Sequence, residues 1–253
     1  MAMPNKSLGQ HWLKNRALLE DIASYADLTP DDIVLEIGPG LGTLTSVLLG
    51  RAERVIAIEY DSALAGKLPG QFPGKQLEVI NQDFLNYDLA QLPAGYKVVA
   101  NVPYYITTKI IERLALSSTP PKVMVLLVQQ EVAEKFAARP GDMTYGAVML
   151  QSLFDVQLGT RVPKMHFTPP PQVDSQVLVC KKRHVPIIAD NNQKAFERVV
   201  RAGFSAPRKK LRTSLAGGLG LSVNEIDDML DKAAIDSNLR AQDLSLDEWE
   251  KLL

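Results

Sequence analysis

The residues with most chemical content begin at Glu36-Ile-Gly38-Pro-Gly40-Leu-Gly42, directly after the apolar run Ile33–Ile37. Glycines at the end of a buried strand let the backbone turn tightly and approach a ligand. A strand-to-helix turn needs no ligand, so the pattern gains its weight from what accompanies it. Glu59 closes a second apolar run in Ala57-Ile-Glu-Tyr-Asp61. An acidic side chain about 20 residues beyond such a loop can accept both ribose hydroxyls of an adenosine cofactor. Asp83, in Asn81-Gln-Asp83-Phe84, follows a third run. Its carboxylate can accept a hydrogen bond from a cofactor's adenine amine, or make an ordinary Asx turn. Gly38, Gly40, Glu59 and Asp83 together point to an adenosine cofactor and leave NAD and S-adenosylmethionine both open.

Asn101-Val-Pro103-Tyr104-Tyr105 stands at the end of a fourth run. The exocyclic amine of adenine is a poor nucleophile, because its lone pair is delocalised into the ring. A site that methylates it must accept both N–H hydrogens and rehybridise the nitrogen towards the methyl donor. The Asn101 side-chain oxygen and the Val102 carbonyl can accept them. Pro103 stiffens the turn by fixing φ, and Tyr104 offers a face for the target base. A sulfonium donor drives the transfer without a strong base, so the gain comes from orientation and electrostatics. The arrangement resembles the Asn-x-Pro-Tyr motif of methyltransferases acting on exocyclic amines of bases, and it decides for S-adenosylmethionine.

A fifth feature is basic. Arg198, Arg201, Arg208, Lys209, Lys210 and Arg212 lie in 15 residues with no acidic one, on a chain of net charge −1. Such a run reads as a local phosphate-binding surface or as a solvated helix face.

These residues need a scaffold, and the chain supplies one. Runs at Ile33–Ile37, Val55–Ile58, Leu77–Ile80, Val98–Ala100 and Val123–Val128 read as buried strands, with helical patterns such as Thr107–Leu116 and Glu131–Ala138 between them. Near-continuous apolar strands alternating with helices predict a parallel sheet covered on both faces. Pro169-Pro-Pro171 breaks the pattern, and Val173–Cys180 reads as an edge or late strand. At the start, Arg16–Ala26 reads as a helix with Asn15 as its N-cap. The texture changes after His184, so the domain expectation is 1–184 for the sheet domain and 185–253 for a small helical one.

Composition narrows the classes. A chain of 253 residues, 46% hydrophobic and 23% charged, has the balance of a globular protein. One cysteine, Cys180, excludes an internal disulfide and fits a reducing cytoplasm. The start has no apolar signal-peptide region, and no run reaches the roughly 18 apolar residues of a membrane span. Three histidines without Cys/His ligand spacing leave no metal site.

Taken in order, the motifs resemble the ribosomal RNA adenine N6,N6-dimethyltransferase family, in its small-subunit branch, over nearly the whole chain. Lys6-Ser-Leu-Gly-Gln-His-Trp-Leu13 is similar to the family's N-terminal Gln-Asn-Phe-Leu box. Val34–Thr45 resembles its cofactor loop and Asn101–Tyr105 its catalytic motif. Phe167–Val177 resembles its Phe-x-Pro-Pro-Pro-x-Val-Asp-Ser signature, and Phe204–Leu215 its basic helix start. The resemblance implies a Rossmann-like class I S-adenosylmethionine-dependent methyltransferase of α/β class, with a seven-stranded mostly parallel sheet and a helical C-terminal rRNA-binding domain. It implies a monomeric cytoplasmic enzyme acting on 16S rRNA of the small ribosomal subunit, with two adjacent N6,N6-dimethyladenosines near the 3′ end as product. Carried over, Asn101, Pro103 and Tyr104 are catalytic. His11, Leu13, Gly38, Gly40, Glu59, Asp83 and Asn101 contact S-adenosyl-L-methionine, and Glu36 lies near its amino-acid end. Arg208, Lys209, Lys210 and Arg212 bind RNA.

His11 and Trp12 stand where Asn and Phe are usual; imidazole still donates or accepts, and indole keeps an aromatic wall. Ser205-Ala-Pro207 replaces a more polar stretch. The competing readings are the antibiotic-resistance branch acting on 23S rRNA, a non-catalytic ribosome assembly factor, and an NAD-dependent oxidoreductase. The segment Pro207–Arg212 argues against the first by resemblance, and Asn101 with Tyr104 against the second. The third lacks a hydride-transfer constellation of His, Lys and Tyr.

Overall fold

A computed structural model of the chain describes residues 10–253, so Lys6–Gly9 of the N-terminal box lie outside the described residues. The elements run β1 (Trp12–Leu13), α1 (Arg16–Ser24), β2 (Ile33–Ile37), α2 (Thr43–Leu48), β3 (Arg54–Glu59), α3 (Ser62–Lys67) and β4 (Leu77–Asn81). Then come β5 (Lys97–Asn101), α4 (Thr107–Ala115), β6 (Val123–Gln129), α5 (Gln130–Phe136) and α6 (Tyr145–Leu153). β7 (Phe154–Val162), β8 (Phe167–Thr168) and β9 (Ser175–Lys182) complete the strands. α7 (Gln193–Gly203), α8 (Leu211–Leu219), α9 (Val223–Lys232) and α10 (Leu246–Glu250) follow.

Seven strands form one sheet in the order β4-β3-β2-β5-β6-β9-β7. β4 through β6 pair in parallel, and β9 lies antiparallel to β6. Val34, Leu35, Val55, Val98, Val99 and Val125 on these strands are buried without residue. A parallel sheet covered on both faces requires such runs, which is why the strands read as unbroken apolar stretches. β3 and β4 lie on one side of β2, and β5 and β6 on the other. The strand order therefore reverses between β2 and β5, and open α/β sheets bind ligands in the crevice at that switch point. β1 and β8 form a separate two-stranded sheet, pairing Trp12 with Thr168 and Leu13 with Phe167. α1 starts where its cap dictates: the Asn15 side chain accepts from the Leu18 N–H at 3.2 Å.

Two compact units emerge. One contains the chain up to Ala133 with Gln157–Lys182, the other Glu134–Val156 with Arg183–Leu253. This division differs from two consecutive domains of 1–184 and 185–253. The reason is packing: Ala147, Val148 and Met149 of α6 share one core with Phe196, Val200, Leu211, Leu230 and Trp249. Inside that helical unit α7 and α8 cross closely, and a Cβ on Gly218 would stand 2.5 Å from Ala202 Cα. Among the described residues no helix is long and apolar enough to cross a membrane, and no His, Cys, Asp or Glu cluster is arranged to hold a metal ion.

Candidate active site

The crevice beside β2 and β5 is a cavity of about 340 Å³. The structure brings His11, Gly38, Gly40, Glu59, Asp83, Asn101, Pro103 and Tyr104 to its wall. Each arrives on a different support. Gly38 and Gly40 leave β2, Glu59 ends β3, Asp83 follows β4, and Asn101 ends β5. His11 comes from the lead into β1.

Gly40 shows why this loop is glycine. Its φ is +57°, a left-handed value that an L side chain rarely adopts. An added Cβ would also stand 3.2 Å from Trp12 Nε1. With the side chain absent, the Gly40 N–H donates to Glu59 Oε2 at 3.0 Å. The Asp61 N–H donates to Oε1 of the same carboxylate at 2.8 Å. Asn81 Nδ2 donates to the Glu59 carbonyl at 2.8 Å, tying β4 to the same point. Glu59 is thus held in one orientation while its wall faces the cavity. Burial raises its pKa above the ordinary value, with the backbone donors acting against that rise.

Asp83 does two things at once. Its Oδ1 accepts from the Leu85 N–H at 2.9 Å, making the Asx turn that starts a short 3-10 helix at Phe84. It also lines the cavity.

Asn101 is oriented by the N-terminal lead: its Nδ2 donates to the His11 carbonyl at 3.1 Å. With the amide nitrogen committed there, the amide oxygen is the group left to accept from a ligand. His11 itself is fixed from two sides. Its Nδ1 donates to the Pro169 carbonyl at 2.8 Å, so in the neutral ring Nε2 is an acceptor. Its ring stacks on Tyr104, with centroids 5.7 Å apart and planes 21° apart. The Tyr104 hydroxyl shares a 2.6 Å hydrogen bond with Ser175 Oγ. Burial raises the phenol's pKa above its ordinary value, so Tyr104 stays neutral at physiological pH.

Not every residue expected at the site is on the wall. Leu13 is buried in the core of the sheet unit among residues such as Leu44, Val99 and Phe167. Its carbonyl accepts from Thr43 Oγ1 at 2.9 Å, so it seats β1 against the start of α2. Glu36 lies inside, 1% exposed, accepting from Thr45 Oγ1 at 2.6 Å. Burial, with the Glu59 charge adding to it, pushes its carboxyl up to about 8. The basic residues are all in the helical unit. Arg208, Lys209 and Lys210 are exposed ahead of α8. Lys210 Nζ donates to Asn238 Oδ1 at 2.6 Å, and Arg212 is paired with Asp227.

Other wall residues lie within the same motifs but carry no assigned role: Gln10, Tyr60, Gln82, Phe84 and Tyr105 line the cavity too. Tyr60 and Tyr105 are exposed large aromatics on that wall. The signal available in the sequence was position alone, since each directly follows a residue assigned to the site. Ser175 carried none beyond its place in the Val173-Asp-Ser175 segment.

The arrangement accommodates an adenosine cofactor. Paired backbone donors hold an acidic side chain at the end of β3, a second carboxylate stands after β4, and glycines at the switch point leave room for close approach.

Comparisons with known proteins point the same way. The family profile described as Ribosomal RNA adenine dimethylase matches residues 1–253. The chain is 39% identical over 251 residues to the Ribosomal RNA small subunit methyltransferase A of Dehalococcoides mccartyi, covering 98% of this chain and 86% of that one. It is 38% identical to the protein of the same name from Nostoc sp., covering 100% of this chain and 97% of that one. Among solved structures it is similar to a dimethyladenosine transferase from Plasmodium falciparum, with a TM-score of 0.83 at 26% identity over 96% of each chain. It is also similar to the 23S rRNA methyltransferase ErmE, with a TM-score of 0.79 at 29% identity over 95% of this chain and 97% of that one.

Proposed function

The chain belongs to the ribosomal RNA adenine dimethylase family, and from that membership we propose that it dimethylates the N6 amines of two adjacent adenosines near the 3′ end of 16S rRNA. S-adenosyl-L-methionine supplies the chemistry when bound: an electrophilic methyl group on a sulfonium. The observation that carries the reading is the convergence of Asn101 and Tyr104 with Gly38, Gly40, Glu59 and Asp83 on one cavity.

Each residue has a task in that reaction. Glu59 accepts the ribose hydroxyls of the cofactor, and Asp83 accepts from its adenine amine. Gly38 and Gly40 let the backbone come close, and His11 Nε2 offers an acceptor. Leu13 contributes from the core by seating β1. On the substrate side, the Asn101 oxygen and the Val102 carbonyl accept the two hydrogens of the target amine, drawing its lone pair out of the ring. Pro103 fixes the turn that carries both acceptors. Tyr104 stacks on the extruded base, worth about 1–3 kcal/mol. No proton acceptor of high basicity is required; placement and fixed dipoles lower the barrier.

Arg208, Lys209, Lys210 and Arg212 supply phosphate contacts. Cations at the start of α8 are disfavoured by the helix dipole, and an RNA phosphate relieves that repulsion. The small ribosomal subunit is the partner, which places the protein in the cytoplasm.

Radiolabelled methyl transfer tests this, with undermethylated small subunits and large-subunit RNA in parallel. Label recovered as dimethyladenosine in the small-subunit RNA alone is the expected result. The likeness to ErmE makes large-subunit RNA the second substrate, and label there alone would overturn the proposal.

A further inference from the structure

Tyr104 is a ring on a turn, and a turn does not fix a ring. Between Pro103 and α4 the chain makes only a short 3-10 helix, Tyr104–Ile106. A tyrosine there, beside an open cavity, keeps rotational freedom unless its far end is tethered. The tether is Ser175 Oγ, 2.6 Å from the Tyr104 hydroxyl.

Ser175 is well placed for this. It is fully buried, and it opens β9 directly opposite Gln129 at the end of β6. The preceding peptide is pinned as well: the Gln130 N–H donates to the Asp174 carbonyl at 3.0 Å. The Asp174 side chain accepts from the Lys164 N–H at 3.0 Å and from Arg161 at 2.8 Å. Asp174 thus fastens the preceding loop on one side, and Ser175 presents its hydroxyl inward on the other. The anchor point is therefore set by two paired strands and not by a mobile loop. His11 fixes the remaining freedom by stacking on the ring.

We propose that Ser175 is a positioning residue for methyl transfer, holding the Tyr104 ring at the angle on which the target base stacks. The proposal rests on the methyltransferase reading above. The Tyr104 hydroxyl then serves as an anchor and takes no part in proton transfer. Its ring touches the substrate; Ser175 acts only through it.

A double-mutant cycle tests the assignment. kcat, and KM for undermethylated small subunits, are measured for the wild type, Ser175→Ala, Tyr104→Phe and the double variant. S-adenosylhomocysteine affinity, read by calorimetry, reports whether the fold and the cofactor half of the site survive. Misplacing the ring is expected to lower kcat about tenfold in each single variant, with the double variant no worse than either. Affinity for S-adenosylhomocysteine should stay within about twofold, and Ser175→Thr, which keeps the hydroxyl, should recover most of kcat. A second readout avoids turnover: 2-aminopurine in place of the target adenosine should be quenched less on binding to Ser175→Ala than to the wild type. Additive losses in the double variant, or unchanged kcat and quenching in Ser175→Ala, would overturn the role of Ser175. A wild type that methylates neither RNA would instead overturn the reading beneath it.

Discussion

The cavity of the sheet unit and the basic run of the helical unit are built on opposite plans. In the cavity most polar side chains are already engaged by the protein, the buried Trp12 Nε1 being an exception. Glu59 is held by two backbone N–H groups, Asn101 by the His11 carbonyl and Tyr104 by Ser175. In the basic run Arg208 and Lys209 stand exposed ahead of a helix, while Arg201 pairs with Glu197 and Lys210 and Arg212 lean on neighbours. The difference suits the two tasks proposed for these regions. Rehybridising an amine needs groups fixed before the substrate arrives, because reorganisation would cost rate. Gathering a phosphate backbone needs charge at the right place, and flexible cations supply it through counterion release.

Asn101 should show the contrast most sharply. Asn101→Ala removes an acceptor made useful only by its fixed orientation. Methyl transfer should fall by at least about 10²–10³-fold, while RNA affinity, proposed to rest on the basic run, stays near wild type. Filter binding beside a methylation assay checks both, and a matched loss of RNA binding would break the division of labour.

Glu59 comes next. Glu59→Ala deletes the proposed ribose acceptor and leaves the Gly40 and Asp61 N–H groups without their partner. Cofactor affinity should weaken by about 10- to 100-fold. Calorimetric titration with S-adenosylhomocysteine reads this directly, and an unchanged dissociation constant would remove Glu59 from the binding site.

For the basic run the expected changes are smaller and depend on salt. Replacing Lys209 and Lys210 with Gln should weaken RNA binding about tenfold at moderate salt. The slope of log K against log salt should drop by roughly one to two. Arg212→Gln should move the slope less, because its guanidinium is already paired with Asp227. An unaltered slope in the lysine variant would leave this surface without a role in phosphate binding.

The same contrast explains what was legible from the chain alone. β2, β3, β5 and β6 announce themselves because strands buried on both faces must be apolar throughout, and the edge strand β4 by Leu77, Val79 and Ile80. β7 does not: it is an edge strand whose exposed and buried residues mix around Gly159, a weaker pattern. The membership of α6 in the helical core was also hidden, because Val148 and Met149 find Phe196 and Trp249 only in three dimensions. In the cavity, residues at strand ends could be placed from the motif that follows each strand. Leu13 could not, since a two-residue strand gives no facing, and it lies in the core. Nor could Ser175, whose partner is 71 residues away. The basic run read as uniform charge, yet Asp227 and Asn238, distant in sequence, distinguish Arg212 and Lys210 from Lys209.

The smallest expected effect lies beneath the cavity and concerns stability. Glu36 is buried against Thr45, and its carboxyl titrates at about 8 against an ordinary 4.5. A raised folded value means that the native state holds a proton the unfolded chain releases. The contribution of Glu36 to stability is therefore complete below pH 4.5 and is lost as pH rises through 8. Glu36→Gln keeps an acceptor for the Thr45 hydroxyl and removes the titration. The variant should lie close to the wild type near pH 5 and be the more stable of the two at pH 8. Urea unfolding at the two pH values measures the difference. A gain of equal size at both would mean that Glu36 carries its charge in the native state. The rule drawn from Glu59 and Asn101, that this half of the molecule fixes its polar groups before any ligand arrives, would then fail at its most buried carboxyl.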